Sequence, residues 1–151
     1  MIRARAFWAV LGLTMLRAPV PVAAMAPAET ANPIVYVELP VHDLDRAMGF
    51  YAALLGLSFE RTRIDGYDMA LFPAHPGGDG ASGALVRGDV YRPGKVGPIV
   101  YFRVADIDAA LARARKLGAK ILYEKKAVGS FGFVAEVEDS EGNRIALNAS
   151  R

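Results

Sequence analysis

Ile34 to Val41 is a β-rich run, and the two-residue period of a strand sets Val37, Leu39 and Val41 on one side and Tyr36, Glu38 and Pro40 on the other. The period then changes. Leu44, Ala47, Met48, Tyr51, Leu54 and Leu55 recur at helical spacing and form one buried stripe. Asp43 stands where a helix N-cap is needed, and Asp45 lies in the first turn, where the macrodipole favours an acid. Gly56 can end the helix in a left-handed conformation. Strands are expected over 57–64, 67–73 and 82–87, with a loop of Pro and Gly composition over 75–81 before the last.

The same order then recurs. A strand over 98–104 precedes Asp106 as cap, a stripe of Ile107, Ala110, Leu111, Ala114 and Leu117, and Gly118 as terminator. Strands over 119–126, 131–138 and 143–149 complete the unit, the last two joined by Asp139-Ser140-Glu141-Gly142. Val37, Val41, Asp43, Asp45 and Ala47 match Val100, Val104, Asp106, Asp108 and Ala110 at a constant offset of 63 residues. An internal repeat of this kind means two similar supersecondary units, each β-α-β-β-β. Neither can bury its sheet alone, so the two must pack together.

With 151 residues the chain suits one domain over 33–150, with modules at 33–88 and 97–150. The net charge of +2 is uneven: Arg3, Arg5 and Arg17 lie in the first 26 residues without an acid, which leaves −1 for the rest. No basic stripe with interleaved aromatics is present, so nucleic acid is not an expected partner. With no cysteine, disulfides, thiolate metal sites and a cysteine nucleophile are excluded. Residues 1–24 have the outline of a secretory signal peptide, with a basic start, an apolar run over 6–16 and small residues before Ala24. Arg17 is atypical of such a leader, and a true start at Met25 is the rival reading. The first implies export to the periplasm or the medium, the second a cytoplasmic protein. Residues 25–32 are a linker, and no membrane association is expected beyond a cleaved leader.

The block Val41-x-Asp43-Leu44-Asp45-x-Ala47, with Phe50-Tyr51 and Leu55-Gly56, its second copy, and Asp139-Ser140-Glu141-Gly142-Asn143-Arg144-Ile145-Ala146-Leu147 resemble the vicinal oxygen chelate superfamily. That group contains glyoxalase I, bleomycin-resistance proteins and extradiol dioxygenases. The resemblance implies an α+β fold in which two βαβββ modules form a cupped mixed sheet with helices outside. It also implies a small-molecule ligand in the cup, and a homodimer, although one chain can close a cup from its own modules.

Metal-dependent members carry a His or Gln seven residues before a module's capping Asp and a Glu on its last strand. Here those positions hold Tyr36, Ile99 and Ala146, and the stretch from Ser82 to Val86 has no carboxylate. Divalent ions require converging His, Glu, Asp or Cys donors, so neither a metal nor another cofactor is expected. His42 and His75 have no partner for base–nucleophile chemistry and read as surface residues. The Gly-rich stretch over 77–83 lacks the Lys-Ser/Thr of a phosphate-binding loop.

Strand alternation places Tyr36, Glu38, Ile99, Tyr101, Arg103, Arg144, Ala146 and Asn148 on the cup face. The candidate ligand-binding residues are Tyr36, Glu38, Met69, Phe72, Ile99, Tyr101, Arg103, Ala146 and Asn148; no catalytic residue is assigned. Tyr36 and Tyr101 suit stacking on a planar ligand or simple cavity filling. Glu38 and Arg103 either touch ligand or pair with each other to hold the modules in register. The leading expectation is a metal-free binder of an apolar or aromatic molecule. The rivals are a lyase, isomerase or dioxygenase with unusual metal ligands or Glu38 as general base, and an interaction module whose cup is a dimer seam.

Overall fold

The computed structural model describes residues 34–77 and 80–150. The leader and linker expected over 1–32, and Gly78 and Asp79 of the loop, lie outside the described residues.

Two βαβββ modules follow one another in the chain. The first comprises β1 (Tyr36–Pro40), α1 (Leu44–Leu55), β2 (Glu60–Ile64), β3 (Tyr67–Leu71) and β4 (Ser82–Arg87). The second comprises β5 (Val100–Arg103), α2 (Ile107–Lys116), β6 (Ile121–Ala127), β7 (Phe133–Glu138) and β8 (Arg144–Ala149). Asp43 and Asp106 cap their helices through side-chain bonds from the Arg46 and Ala109 amides, at 2.9 and 3.0 Å. Gly56 and Gly118 follow the helices with φ of +72° and +77°, a region that L side chains avoid. The repeat is therefore structural down to its caps.

In place of one continuous sheet, the hydrogen-bonded ladders form two, in the orders β1-β4-β3-β2 and β5-β8-β7-β6. Each is mixed: β1 runs parallel to β4 and β5 parallel to β8, while the remaining pairs are antiparallel. The β6–β7 ladder carries register shifts at Ile121/Tyr123 and Tyr123/Lys126. No strand expected to carry site residues is affected.

One core spans both modules on the helix side of the sheets. Leu39, Val41, Leu44, Ala47, Tyr51, Leu54 and Leu85 of the first meet Ile107, Ala110, Leu111, Val137, Ile145 and Leu147 of the second. Met48 and Leu55 are only partly buried, and Phe50, which lies outside the expected stripe, is buried instead. At the centre the Tyr51 ring lies 5.8 Å from Phe72 and 5.6 Å from Phe102, and the last two are 5.6 Å apart. Burial of such large rings is a main source of stability here.

A polar clasp completes the join. The β7–β8 turn of the second module reaches the β1–α1 junction of the first. Glu141 accepts from the His42 and Asp43 amides at 2.9 and 3.0 Å and from Arg46 Nε and Nη2, both at 2.8 Å. Asp139 accepts from the buried Tyr51 hydroxyl at 2.6 Å and from the Glu141 and Asn143 amides at 2.9 and 2.7 Å. Asn143 donates in turn to the Pro40 carbonyl at 2.9 Å. These buried acids are tolerated because their oxygens are satisfied several times over. A second tie is the bond from Arg113 Nε to the Leu54 carbonyl at the end of α1, 2.8 Å.

Burial alone would raise the Glu141 carboxyl, but the Arg46 guanidinium and the Asp43 and His42 amides outweigh it and hold it below its ordinary value of 4.5. Its stabilising contribution is thus fully present above pH 4.5 and is lost as pH falls through the lower folded-state value. Glu141→Gln should cost about 2–3 kcal/mol at neutral pH, since one amide cannot satisfy both the peptide N–H groups and the guanidinium. In urea unfolding across the acid range, the variant should show a shallower loss of stability than the parent. Identical slopes would mean that Glu141 does not carry the acid sensitivity.

Candidate functional site

The two sheets each leave one face free of helix, and the candidate side chains are best placed by which face they occupy. Parallel pairing sets Tyr36 opposite Ser82 and Glu38 opposite Ala84, and sets Tyr101 opposite Ala146 and Arg103 opposite Asn148. All eight point away from the core face of Val37, Leu39, Phe102 and Leu147.

Between the edge strands β1 and β5 lies an open crevice of about 560 Å³, lined by Ile34, Tyr36, Val37, Gly80, Ala81, Pro98, Ile99, Val100 and Tyr101. Its walls are shared with a smaller hollow of about 150 Å³ that reaches Leu39, Phe72 and Phe102 on the core side. Tyr101 also borders a third hollow of about 430 Å³, with Val128, Phe131, Val134 and Asn148. Tyr36 is 45% exposed, Tyr101 55% and Phe131 75%, so three rings stand open to solvent around this region. The size and apolar lining suit a small organic molecule.

Tyr36, Ile99 and Tyr101 therefore meet in one crevice, and Asn148 joins Tyr101 in the adjoining hollow. The other expected residues lie differently. Phe72 belongs to the core, stacked among Tyr51, Phe59 and Phe102, because β3 alternation turns positions 68, 70 and 72 toward the helices. Met69 is on the open face but buried with Ala84 and Val86, where Tyr67, Leu71 and Tyr91 pack against it. Ala146 is fully buried at the floor beside Tyr101. Arg103 is exposed and pairs with no carboxylate among the described residues.

The ion pair considered for Glu38 and Arg103 does not form. Glu38 instead accepts a 2.5 Å hydrogen bond from the Tyr91 hydroxyl. Tyr91 comes from the segment joining the modules and stands edge-on to Tyr67, 5.2 Å between centroids. The Glu38 carboxylate, with partial burial, pushes the Tyr91 phenol up to about 12. Burial first, then the Glu38 charge, raises the Tyr36 phenol as well. Sequence alone gave no reason to look at Tyr91, beyond its being a lone aromatic in a Gly- and Pro-containing connection. Phe131 sits on a short 3-10 turn, Gly129–Phe131, which no periodicity marks.

The donors do not fit a divalent ion. Tyr36, Ile99 and Ala146 occupy the positions where the resemblance would place ligands. Glu38 is taken by Tyr91, and Glu136 on the open face of the second sheet is taken by Arg144 at 2.6–2.8 Å. Among the described residues no three His, Cys, Asp or Glu side chains converge as a metal site would require.

The family model described as Glyoxalase/Bleomycin resistance protein/Dioxygenase superfamily matches residues 33–147. The chain belongs to that superfamily. Solved structures share the fold. A glyoxylase/bleomycin resistance protein/dioxygenase domain from Frankia sp. EAN1pec is 21% identical, with a TM-score of 0.63 over 81% of this chain and 100% of its own. The trypanothione-dependent glyoxalase I of Leishmania major is 23% identical, with a TM-score of 0.60 over 80% of this chain and 88% of its own. TnmS3, an antibiotic binding protein from Streptomyces sp. CB03234, is 21% identical, with a TM-score of 0.58 over 80% and 98%. No curated protein sequence matches the chain. Within this superfamily one scaffold hosts several chemistries, so function rests on the site.

Subtracting the alkaline titration of Tyr91→Phe from that of the parent, followed by phenolate absorbance, should isolate a phenol ionising near pH 12. In Glu38→Gln that ionisation should fall back toward the ordinary value of 10. The native state favours the protonated phenol, so this contribution is complete below pH 10 and fades as pH rises toward 12. A Tyr91 titrating at its ordinary value in the parent protein would refute the hydrogen bond.

Proposed function

We propose that this superfamily member is a metal-free binding protein that holds an apolar or aromatic small molecule in the crevice between β1 and β5. One observation carries the reading. Where metal-dependent relatives place ion ligands, this chain has Tyr36 and Ile99 forming the wall of an apolar crevice and Ala146 buried beside Tyr101. An aromatic ligand gains from stacking on exposed Tyr36 and Tyr101 without deep reorganisation of the core. Sharing a fold with an antibiotic binding protein supports the same class of role. The enzymatic alternative, with Glu38 as general base, is disfavoured because that carboxylate already accepts the Tyr91 proton donor at 2.5 Å.

Two measurements test the proposal. Protein purified without chelator and then exposed to Zn, Ni, Mn and Fe should retain far less than one metal per chain by plasma mass spectrometry. Stoichiometric uptake would overturn the metal-free reading. The neutral fluorophore N-phenyl-1-naphthylamine should bind with enhanced emission, and Tyr101→Ala should weaken it about tenfold, as truncation of a central aromatic contact does. Undiminished binding to Tyr101→Ala would remove the crevice from consideration.

A further inference from the structure

Polar groups on the open face of the second sheet distinguish what kind of aromatic molecule the crevice suits. Strand pairing brings Tyr101 and Arg103 of β5, Arg144, Ala146 and Asn148 of β8, and Val134, Glu136 and Glu138 of β7 onto one surface. Its acids are occupied. Glu136 holds Arg144 through contacts of 2.8 Å to Nε and 2.6 Å to Nη2, and Glu138 holds Lys95 at 2.6 Å. Asn148 gives its amide nitrogen to the Phe131 and Phe133 carbonyls at 2.9 and 3.2 Å, which fixes the turn carrying the Phe131 ring.

One strong group is left over. Arg103 is exposed, has no carboxylate partner among the described residues, and lies directly across the ladder from Asn148. It is two residues from Tyr101 on the same face of the same strand, a separation of roughly 7 Å at the rise of a β-strand. Tyr101 and Phe131 border a common hollow, both exposed by more than half. Arg103 does not itself line that hollow, but it pairs in register with Asn148, which does, so an uncommitted guanidinium stands one ladder position from an aromatic slot. A guanidinium presents a planar fork of donors that matches carboxylate, sulfonate or phosphate oxygens in paired hydrogen bonds. The neighbouring acids cannot compete for it, because each already has its own cation.

We infer that the ligand is an aromatic anion: a planar ring system stacked on Tyr101, where the β1–β5 crevice adjoins the hollow bordered by Phe131, carrying an oxyanion that Arg103 receives. The inference rests on the binding reading above and narrows it to one charge class. Arg103 acts here as a specificity residue, since a neutral aromatic of the same shape would stack equally well and gain nothing from the guanidinium.

Two fluorophores with the same aromatic skeleton separate the claims. N-phenyl-1-naphthylamine is neutral, and 1-anilinonaphthalene-8-sulfonate adds one sulfonate. The parent protein should bind the sulfonate about tenfold more tightly, the difference expected of one charged hydrogen-bonded contact at a partly exposed site. Arg103→Gln should reduce that preference to about twofold or less, and added salt should weaken only the sulfonate. Tyr101→Ala should weaken both. Equal affinity of the parent for the two probes, or a preference that survives Arg103→Gln, would overturn the anion assignment and leave the crevice reading intact. Failure of both probes to bind would remove the crevice reading and the assignment together.

Discussion

The carboxylates of the β7–β8 turn hold this molecule in its arrangement. Glu141 neutralises Arg46 and satisfies the two backbone amides that open α1, while Asp139 receives the hydroxyl of Tyr51 from inside the core. Tyr51 is fully buried, and its ring touches Phe102 of the second module while its hydroxyl bonds to that module's turn. One side chain is thereby committed to its neighbour through both dispersion and hydrogen bonding. Burial and the Asp139 charge together push its phenol well above the ordinary value, which favours the protonated, donating form. The crevice between β1 and β5 exists because the clasp and the shared core fix the two sheets against each other without a ladder joining them.

The repeat made the secondary structure readable. Capping Asp, helical stripe and terminal Gly occur twice in register, and each was placed correctly because these signals are local. Face assignment succeeded for β1, β5 and β8, where alternation is unbroken. Phe72, named as a lining residue without a face being assigned, lies one residue beyond the end of β3 and packs in the core ring cluster while bordering the smaller hollow. Phe50 was missed because a stripe drawn from one helix cannot show that a second element covers its flank.

The site was partly legible. Tyr36, Ile99 and Tyr101 were named from their positions on strands and do line one crevice. The partner of Glu38 was not legible, because the route by which residues 88–98 return across the first sheet leaves no periodic trace. Nor was the clasp: Asp139-Ser140-Glu141-Gly142 reads as a turn, and nothing in its composition says that its acids serve another module. Contacts separated by some 90 to 100 residues are fixed by tertiary packing and not by local propensity.

The clasp is also one-sided. Both helices open on their own Asp caps, but the His42 and Asp43 amides leading into α1 also depend on Glu141, whereas α2 sends Arg113 to the end of α1. During synthesis the first module is made before Glu141, so the bonds to the His42 and Asp43 amides form only once the chain extends through the β7–β8 turn. That contact closes a loop of nearly 100 residues. A ribosome that stalls within β7 would release a chain with every element of the first module and none of the acids that close it. Quality control acting on such a product would meet a first module whose Arg46 and Tyr51 lack their acid partners, not a half-sized but finished domain.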